Sequence, residues 1–213
     1  MSRAEQGAII FAALEPDARL AALIQGYKHE TRTLVGEQQY LGDAPHLTVY
    51  LAAFRAVDEV VAQWRQFARR HEPIDVQLIG WHVFEADALT GSNTLICDLA
   101  AGDKHRLRNR QTEAIELLAP LHDVALTRRR IEPRLAQLTD EQRACVERFG
   151  FPYVGDGWEP HLTIASIRPA DWPAVWSALG AHPPVGAYRC ARWRLYQLVG
   201  EGFRAIDGLG EAD

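Results

Sequence analysis

Lysine is nearly absent from this sequence: only Lys28 and Lys104 occur, so 21 of its 23 cationic side chains are arginine. A coding bias accounts for such a skew. The functional alternative is planar, bidentate recognition of phosphate, for which arginine is suited and lysine is not. Cysteine is scarce as well. Cys97, Cys145 and Cys190 are an odd number at wide spacing, which supports neither a disulfide framework nor a CxxC metal pair. Cys97 sits in an apolar, strand-like run and reads as a buried, inert thiol. A reducing cytoplasm is the consistent compartment. No apolar stretch approaches the roughly 20 residues needed to span a bilayer. Met1–Gln6 lead into a short apolar run without the signature of a secretory signal, so no membrane partner is expected. Also missing are a GxSxG elbow, a Walker loop, a GxGxxG after a strand and an HExxH helix. No metal or other cofactor is therefore expected.

Positive charge is in deficit: 23 Lys and Arg stand against 28 Asp and Glu, a formal net charge of -5. That balance excludes a protein that wraps long nucleic acid, which needs a basic face. It leaves room for a small anionic ligand held by a few local groups. The 213 residues, 47% of them hydrophobic, suffice for one domain or for two small lobes sharing a core.

Strand-like and helix-like segments alternate, as in an α+β or α/β fold. Residues Ala8–Leu14 read as a strand, and Glu15-Pro16-Asp17 opens a helix ending near Tyr27. The polar stretch Lys28–Ala44 reads as a loop. A strand His46–Phe54 follows, then a helix whose apolar face is Val57, Val60, Val61, Trp64 and Phe67. Asp58 and Glu59 in its first turn and Arg69 and Arg70 in its last oppose the helix dipole. Strands Ile74–Phe84 and Thr94–Leu99 and a helix Asp103–Ala119 complete a first segment, residues 1–120. Residues 121–150 form a helical connector, with a helix starting at Thr139-Asp140-Glu141 and stopping at Gly150. Its Arg128-Arg129-Arg130 run, with Arg134, reads as a solvated face; the alternative is a phosphate-facing patch at a cleft edge. The final segment, 151–213, repeats the strand-then-helix order. It holds a strand His161–Ile167, a helix Ala170–Leu179, a long strand Tyr188–Val199, a Gly200-Glu201-Gly202 turn and a strand Phe203–Ile206.

One string occurs twice. Pro45-His46-Leu47-Thr48-Val49 returns as Pro160-His161-Leu162-Thr163-Ile164. Each copy opens a strand, follows a polar loop and precedes a helix, which points to a duplicated lobe. Alternate strand residues share a face, so His46 and Thr48 point one way while Leu47 and Val49 enter the core. His161 and Thr163 relate to Leu162 and Ile164 in the same manner. A pseudo-twofold arrangement brings two imidazoles and two hydroxyls to one concave surface. That set suits phosphodiester cleavage: one neutral His takes a proton from the attacking oxygen and one protonated His gives a proton to the leaving oxygen. An unperturbed imidazole pKa near 6.5 makes both forms accessible. The threonines can donate hydrogen bonds to non-bridging phosphate oxygens.

The paired H-x-T strings resemble those of the 2H phosphoesterases, which include the 2',5'-RNA ligase-like and cyclic nucleotide phosphodiesterase branches. The resemblance covers most of the chain in its order of elements. It implies an α+β, bilobal, duplicated fold, two small antiparallel sheets around a central cleft with helices outside. It also implies that His46 and His161 are the acid–base pair and Thr48 and Thr163 the phosphate binders. Several branches carry an aromatic residue or arginine five places after the second histidine. Here that place holds Ser166, with Arg168 two further on as a substitute cation. Tyr50 (on the face of His46 and Thr48), Trp158 (three residues before His161) and Tyr196 (in the late strand) are candidates for stacking a base, worth roughly 1–3 kcal/mol each.

The expected activity is that of a metal-independent phosphoesterase. Its substrate is a 2',3'-cyclic phosphate or a 2',5'-phosphodiester in a nucleotide or short RNA end, handled by a monomer. The rival readings are a non-catalytic binding module of the same fold and a metal-dependent hydrolase using the same histidines. His29, His71, His82, His105, His122 and His182 lack the motif's context, and His71 and His105 read as surface residues.

Overall fold

The computed structural model describes residues 7–87, 89–200 and 202–208. Met1–Gln6 and the central Glu201 of the expected Gly200–Gly202 turn lie outside the described residues. The chain runs β1 (Ala8–Pro16), α1 (Ala18–Val35), β2 (Leu47–Phe54), α2 (Val57–Arg70), β3 (Ile74–Phe84), β4 (Asn93–Leu99) and α3 (Ala101–Leu118). It continues through α4 (Val124–Ile131), α5 (Asp140–Phe149), β5 (Leu162–Ile167), α6 (Trp172–Leu179), β6 (Val185–Val199) and β7 (Gly202–Ala205).

The strands form an antiparallel sheet in the order β2-β1-β6-β3-β4-β5, with β7 beside β6. Exchanging β1 with β4, β2 with β5 and β3 with β6 reproduces that order read backwards, which is the topological mark of a twofold duplication. The two long strands change partner midway. β3 pairs with β6 over Ile74–Ile79 and with β4 over Leu78–Phe84. β6 pairs with β3 over Val185–Cys190 and with β1 over Cys190–Gln197. The expected two small sheets are thus the two ends of one sheet, joined where β3 and β6 run side by side. One lobe holds β1, β2 and the second half of β6; the other holds β4, β5 and the second half of β3.

The helices tie the lobes together. α1 connects β1 to β2 yet packs on β5 and α6 of the opposite lobe, while α3 packs on β2 and α2. The apolar halves of the motif strands anchor this arrangement: Leu47, Val49, Leu162 and Ile164 are all 0% exposed, each such burial contributing about 1.5–3 kcal/mol. On α2 the expected stripe is the buried one, with Val60, Trp64 and Phe67 facing inward.

Two helices differ from expectation. α1 runs to Val35 instead of ending near Tyr27, because its buried stripe changes character partway. Leu20 and Ile24 are followed on the same face by Lys28 and Thr31, both buried. A helix whose inner face turns polar loses the hydrophobic period by which it is read. α4 is a separate element that the sequence pattern does not announce; Asp123 caps it, its carboxylate accepting from the Leu126 amide at 2.8 Å. The helix expected at Thr139 begins there with a full capping box, Thr139 and Gln142 bonding reciprocally, and ends at Gly150 with φ 77°.

Candidate active site

Each histidine sits immediately before its strand, β2 or β5, with its Nδ1 on the backbone carbonyl two residues upstream. His46 Nδ1 lies 2.8 Å from the Ala44 oxygen and His161 Nδ1 lies 2.6 Å from the Glu159 oxygen. A carbonyl only accepts, so Nδ1 carries the proton and Nε2 is the nitrogen left to exchange protons in the cleft. Both rings are half-buried and line a single cavity of about 680 Å³, together with Thr48 and Thr163. The duplicated strings therefore do meet at one surface.

The loop before each histidine is held from behind by a cation on the helix that follows β1 in one lobe and β4 in the other. Lys28 of α1 donates through Nζ to the carbonyls of Tyr40 and, at 3.0 Å, Asp43. Burial lowers its pKa to about 8. Arg108 of α3 donates from Nε to the Trp158 carbonyl at 3.0 Å and pairs with Glu159 at 3.2 Å; Lys104 bonds to Glu159 as well. The two lysines in the sequence thus occupy equivalent helices and serve equivalent loops.

Both motif strands carry a β-bulge at the residue after the threonine. Ala12 faces Tyr50 and Ala13 faces Thr48, leaving Val49 unpaired. Likewise Leu95 faces Ala165 and Ile96 faces Thr163, leaving Ile164 unpaired. A bulge reverses which face the following residues take. Tyr50, expected beside His46 and Thr48, is for that reason turned into the core: it is 1% exposed and its hydroxyl donates to the Phe149 carbonyl. The next residue, Leu51, lines the cavity in its stead. In the second copy the bulge brings Ser166, three past Thr163, to the corresponding position; it is buried and hydrogen-bonded with Thr94 at 3.0 Å and Thr90 at 2.6 Å.

The remaining candidates divide. Trp158 is in the cavity wall, but 3% exposed, so it contributes a packed side rather than an open stacking face. Tyr196 is one layer removed: its ring stacks behind Phe11 at 5.1 Å and its hydroxyl donates to Glu15. Phe11 is the ring that reaches the cavity. Arg168 is at the far end of β5, outside the cavity lining, paired with Asp171 at 2.7 Å. A strand six residues long carries its last residue away from the cleft at which it begins. His71, expected at the surface, is half-buried against Phe67 with ring centroids 4.1 Å apart.

Sequence reasoning missed the aromatic collar. Phe11 and Phe203 lie 5.2 Å from the His46 ring, and Phe84 lies 5.1 Å from that of His161. For Phe11 a signal existed: β1 is apolar on both faces, and a strand with one face in the core needs a reason to be apolar on the other. This surrounding desolvates both imidazoles and lowers both pKa values below the ordinary range. The hydrogen bonds to Ala44 and Glu159 partly oppose the shift; for His161 the charge of His46 adds to it. Arg130 and Arg134 also line the cavity, so the connector does reach the cleft edge. Among the described residues no cluster of three or more His, Cys, Asp or Glu has the arrangement of a metal site.

Residues 16–201 match the model of the 2'-5' RNA ligase superfamily. No curated protein matches the chain at the level of sequence. Among solved structures, the apo form of E. coli LigT is 13% identical with a TM-score of 0.51, covering 95% of each chain, a likeness of fold. TT0787 of Thermus thermophilus is 15% identical with a TM-score of 0.48, covering 93% of each chain.

Proposed function

The chain belongs to the 2'-5' RNA ligase superfamily, and from that premise we propose that it opens a 2',3'-cyclic phosphate or a 2',5'-phosphodiester at a nucleotide or RNA end, using His46 and His161. The observation that carries this reading is the equivalence of the two imidazoles. Both line one cavity with a threonine apiece, and both have Nδ1 fixed on a carbonyl so that Nε2 faces the chemistry. Two ring nitrogens of the same kind, one protonated and one not, are what an in-line displacement at phosphorus requires.

In hydrolysis the neutral imidazole takes a proton from water as the oxygen bonds to phosphorus. The bond from phosphorus to one ribose oxygen breaks, and the protonated imidazole supplies that oxygen with its proton. The product is a phosphomonoester, and the two histidines end with their protonation states exchanged. A ribose hydroxyl in place of water gives transfer between RNA ends by the same steps. Thr48 and Thr163 donate hydrogen bonds to the non-bridging oxygens as charge develops there. The aromatic collar keeps water away, which strengthens those bonds. No step of this scheme calls for a metal ion.

The test is a turnover assay on the four 2',3'-cyclic nucleotides, a 2',5'-linked dinucleotide and ADP-ribose cyclic phosphate, with and without a chelator. Turnover of at least one, undiminished by chelation, is expected. Binding without turnover across the panel would instead favour a binding module. Loss of activity on chelation, restored by one ion, would favour a metal-dependent hydrolase.

A further inference from the structure

We infer that Arg130 and Arg134 form a second anion subsite in the cleft, which holds a phosphate other than the one between the histidines. The substrate class is thereby narrowed to nucleotides carrying a second phosphate, such as the penultimate phosphodiester of an RNA end. This rests on the phosphoesterase reading above and specifies what it acts on.

Arg130 is in the last turn of α4 and Arg134 in the 3₁₀ segment Glu132–Gln137 that follows. Both line the cavity that holds His46 and His161. Among the described residues neither forms an ion pair, whereas the adjacent Arg128 pairs with Glu147 at 3.3 Å and the strand-end Arg168 with Asp171. Two guanidinium groups facing one cavity repel each other, and the charge of Arg134 adds to the desolvation that lowers the pKa of Arg130. Both side chains are exposed at the cleft edge, where water screens part of that repulsion, and an anion held between the groups relieves the rest.

Carboxylates at the cleft do not fill that role. Glu159 is taken by Lys104 and Arg108, and Asp87 accepts from the Thr94 hydroxyl at 2.7 Å and the Leu89 amide at 2.9 Å. Asp43 and Glu85 also line the cavity, without an ion pair to either arginine.

The subsite is separate from the reacting centre. His46 and His161 stand at the starts of β2 and β5, whereas the arginines enter the same cavity from the connector, on α4 and the 3₁₀ segment after it. Arg134 moreover borders a second groove of about 630 Å³, with Asp87, Leu89, Thr90 and Gln137, which shares its wall with the main cavity. A chain leaving the histidines in that direction passes the arginines on its way out. Arg168 is carried away from the cleft by β5, and the connector supplies positive charge where that strand does not.

The experiment compares the wild type with R130Q/R134Q on two adenosine substrates that differ by one phosphodiester, a 2',3'-cyclic mononucleotide and the dinucleotide ending in the same cyclic phosphate. A cyclic mononucleotide with a 5'-phosphate and ADP-ribose cyclic phosphate distinguish an internucleotide phosphate from a terminal or diphosphate one. R129Q, which removes the same charge from a residue off the cavity, is the control. Losing charge-assisted contacts predicts a fall in kcat/KM of about tenfold to a hundredfold on the two-phosphate substrates. The fall should come through KM and shrink as salt rises, because screening weakens the contact in the wild type, with less than about a threefold change on the mononucleotide. Equal loss on both substrates, or no loss on either, overturns the inference. A wild type inactive on every substrate overturns the phosphoesterase reading instead. In that event calorimetric binding of the phosphomonoester products, with one phosphate and with two, decides the subsite by the same comparison.

Discussion

At the scale of single residues, the histidines are set apart by what surrounds them. Six other histidines share their chemistry; among the described residues, only His46 and His161 combine a backbone acceptor on Nδ1 with an aromatic neighbour and a place in the cavity. Their lowered pKa values have a kinetic consequence. In the free protein at neutral pH both rings are largely unprotonated, and the productive form of the proposed mechanism needs one proton on the pair. kcat/KM therefore rises as pH falls below about 6.5, the unperturbed imidazole value, and drops again once both rings are protonated. A bell centred on the acid side of 6.5 is expected for kcat/KM, and one shifted alkaline for kcat, because a bound phosphate anion raises both pKa values. A kcat/KM bell centred well above about 6.5 contradicts that assignment. The motif residues are legible in the sequence because their spacing repeats. Tyr50 is not, because strict alternation fails where the strand bulges, and nothing in Val49 itself announces a bulge.

At the scale of elements, the strands and α2 are legible because their inner faces are apolar. The second half of α1 is hidden because Lys28 and Thr31 occupy its inner face. Polar groups on buried faces are what hold the site's loops, so the least legible positions are those that shape it. Gln111, fully buried on α3, is the clearest case. Its amide nitrogen donates to the carbonyl of the bulged Val49 at 3.0 Å and to that of Tyr153 at 2.9 Å, and its oxygen accepts from the Gly155 amide at 3.0 Å. One side chain thus joins the bulge of the first motif strand to the loop that leads into the second. Gln111→Leu keeps the volume and strands those backbone groups, at a cost of about 1–3 kcal/mol for each left without a partner. A lower denaturant midpoint at unchanged slope is the expected result, and wild-type stability would contradict this role for Gln111.

At the scale of the whole molecule, duplication explains why the site lies where it does. The strand order is its own mirror under exchange of the halves, so the twin motifs must lie symmetrically about the junction of β3 and β6. Sequence reveals the repeat but not the sharing. That β6 belongs to both lobes, and that α1 covers the opposite one, follows from pairings between residues far apart in the chain. In such an arrangement neither lobe holds both histidines, and under the proposed mechanism His46 and His161 act as one unit or not at all. Groups that act as a unit are non-additive on removal. The decisive measurement is kcat/KM of the wild type, H46A, H161A and the double variant on whichever cyclic phosphate the wild type turns over, with circular dichroism confirming the fold of each. Each single variant is predicted to lose about 10²–10⁴, and the double variant to be no worse than the poorer single one. Full activity in either single variant, or losses that multiply in the double, would contradict the account.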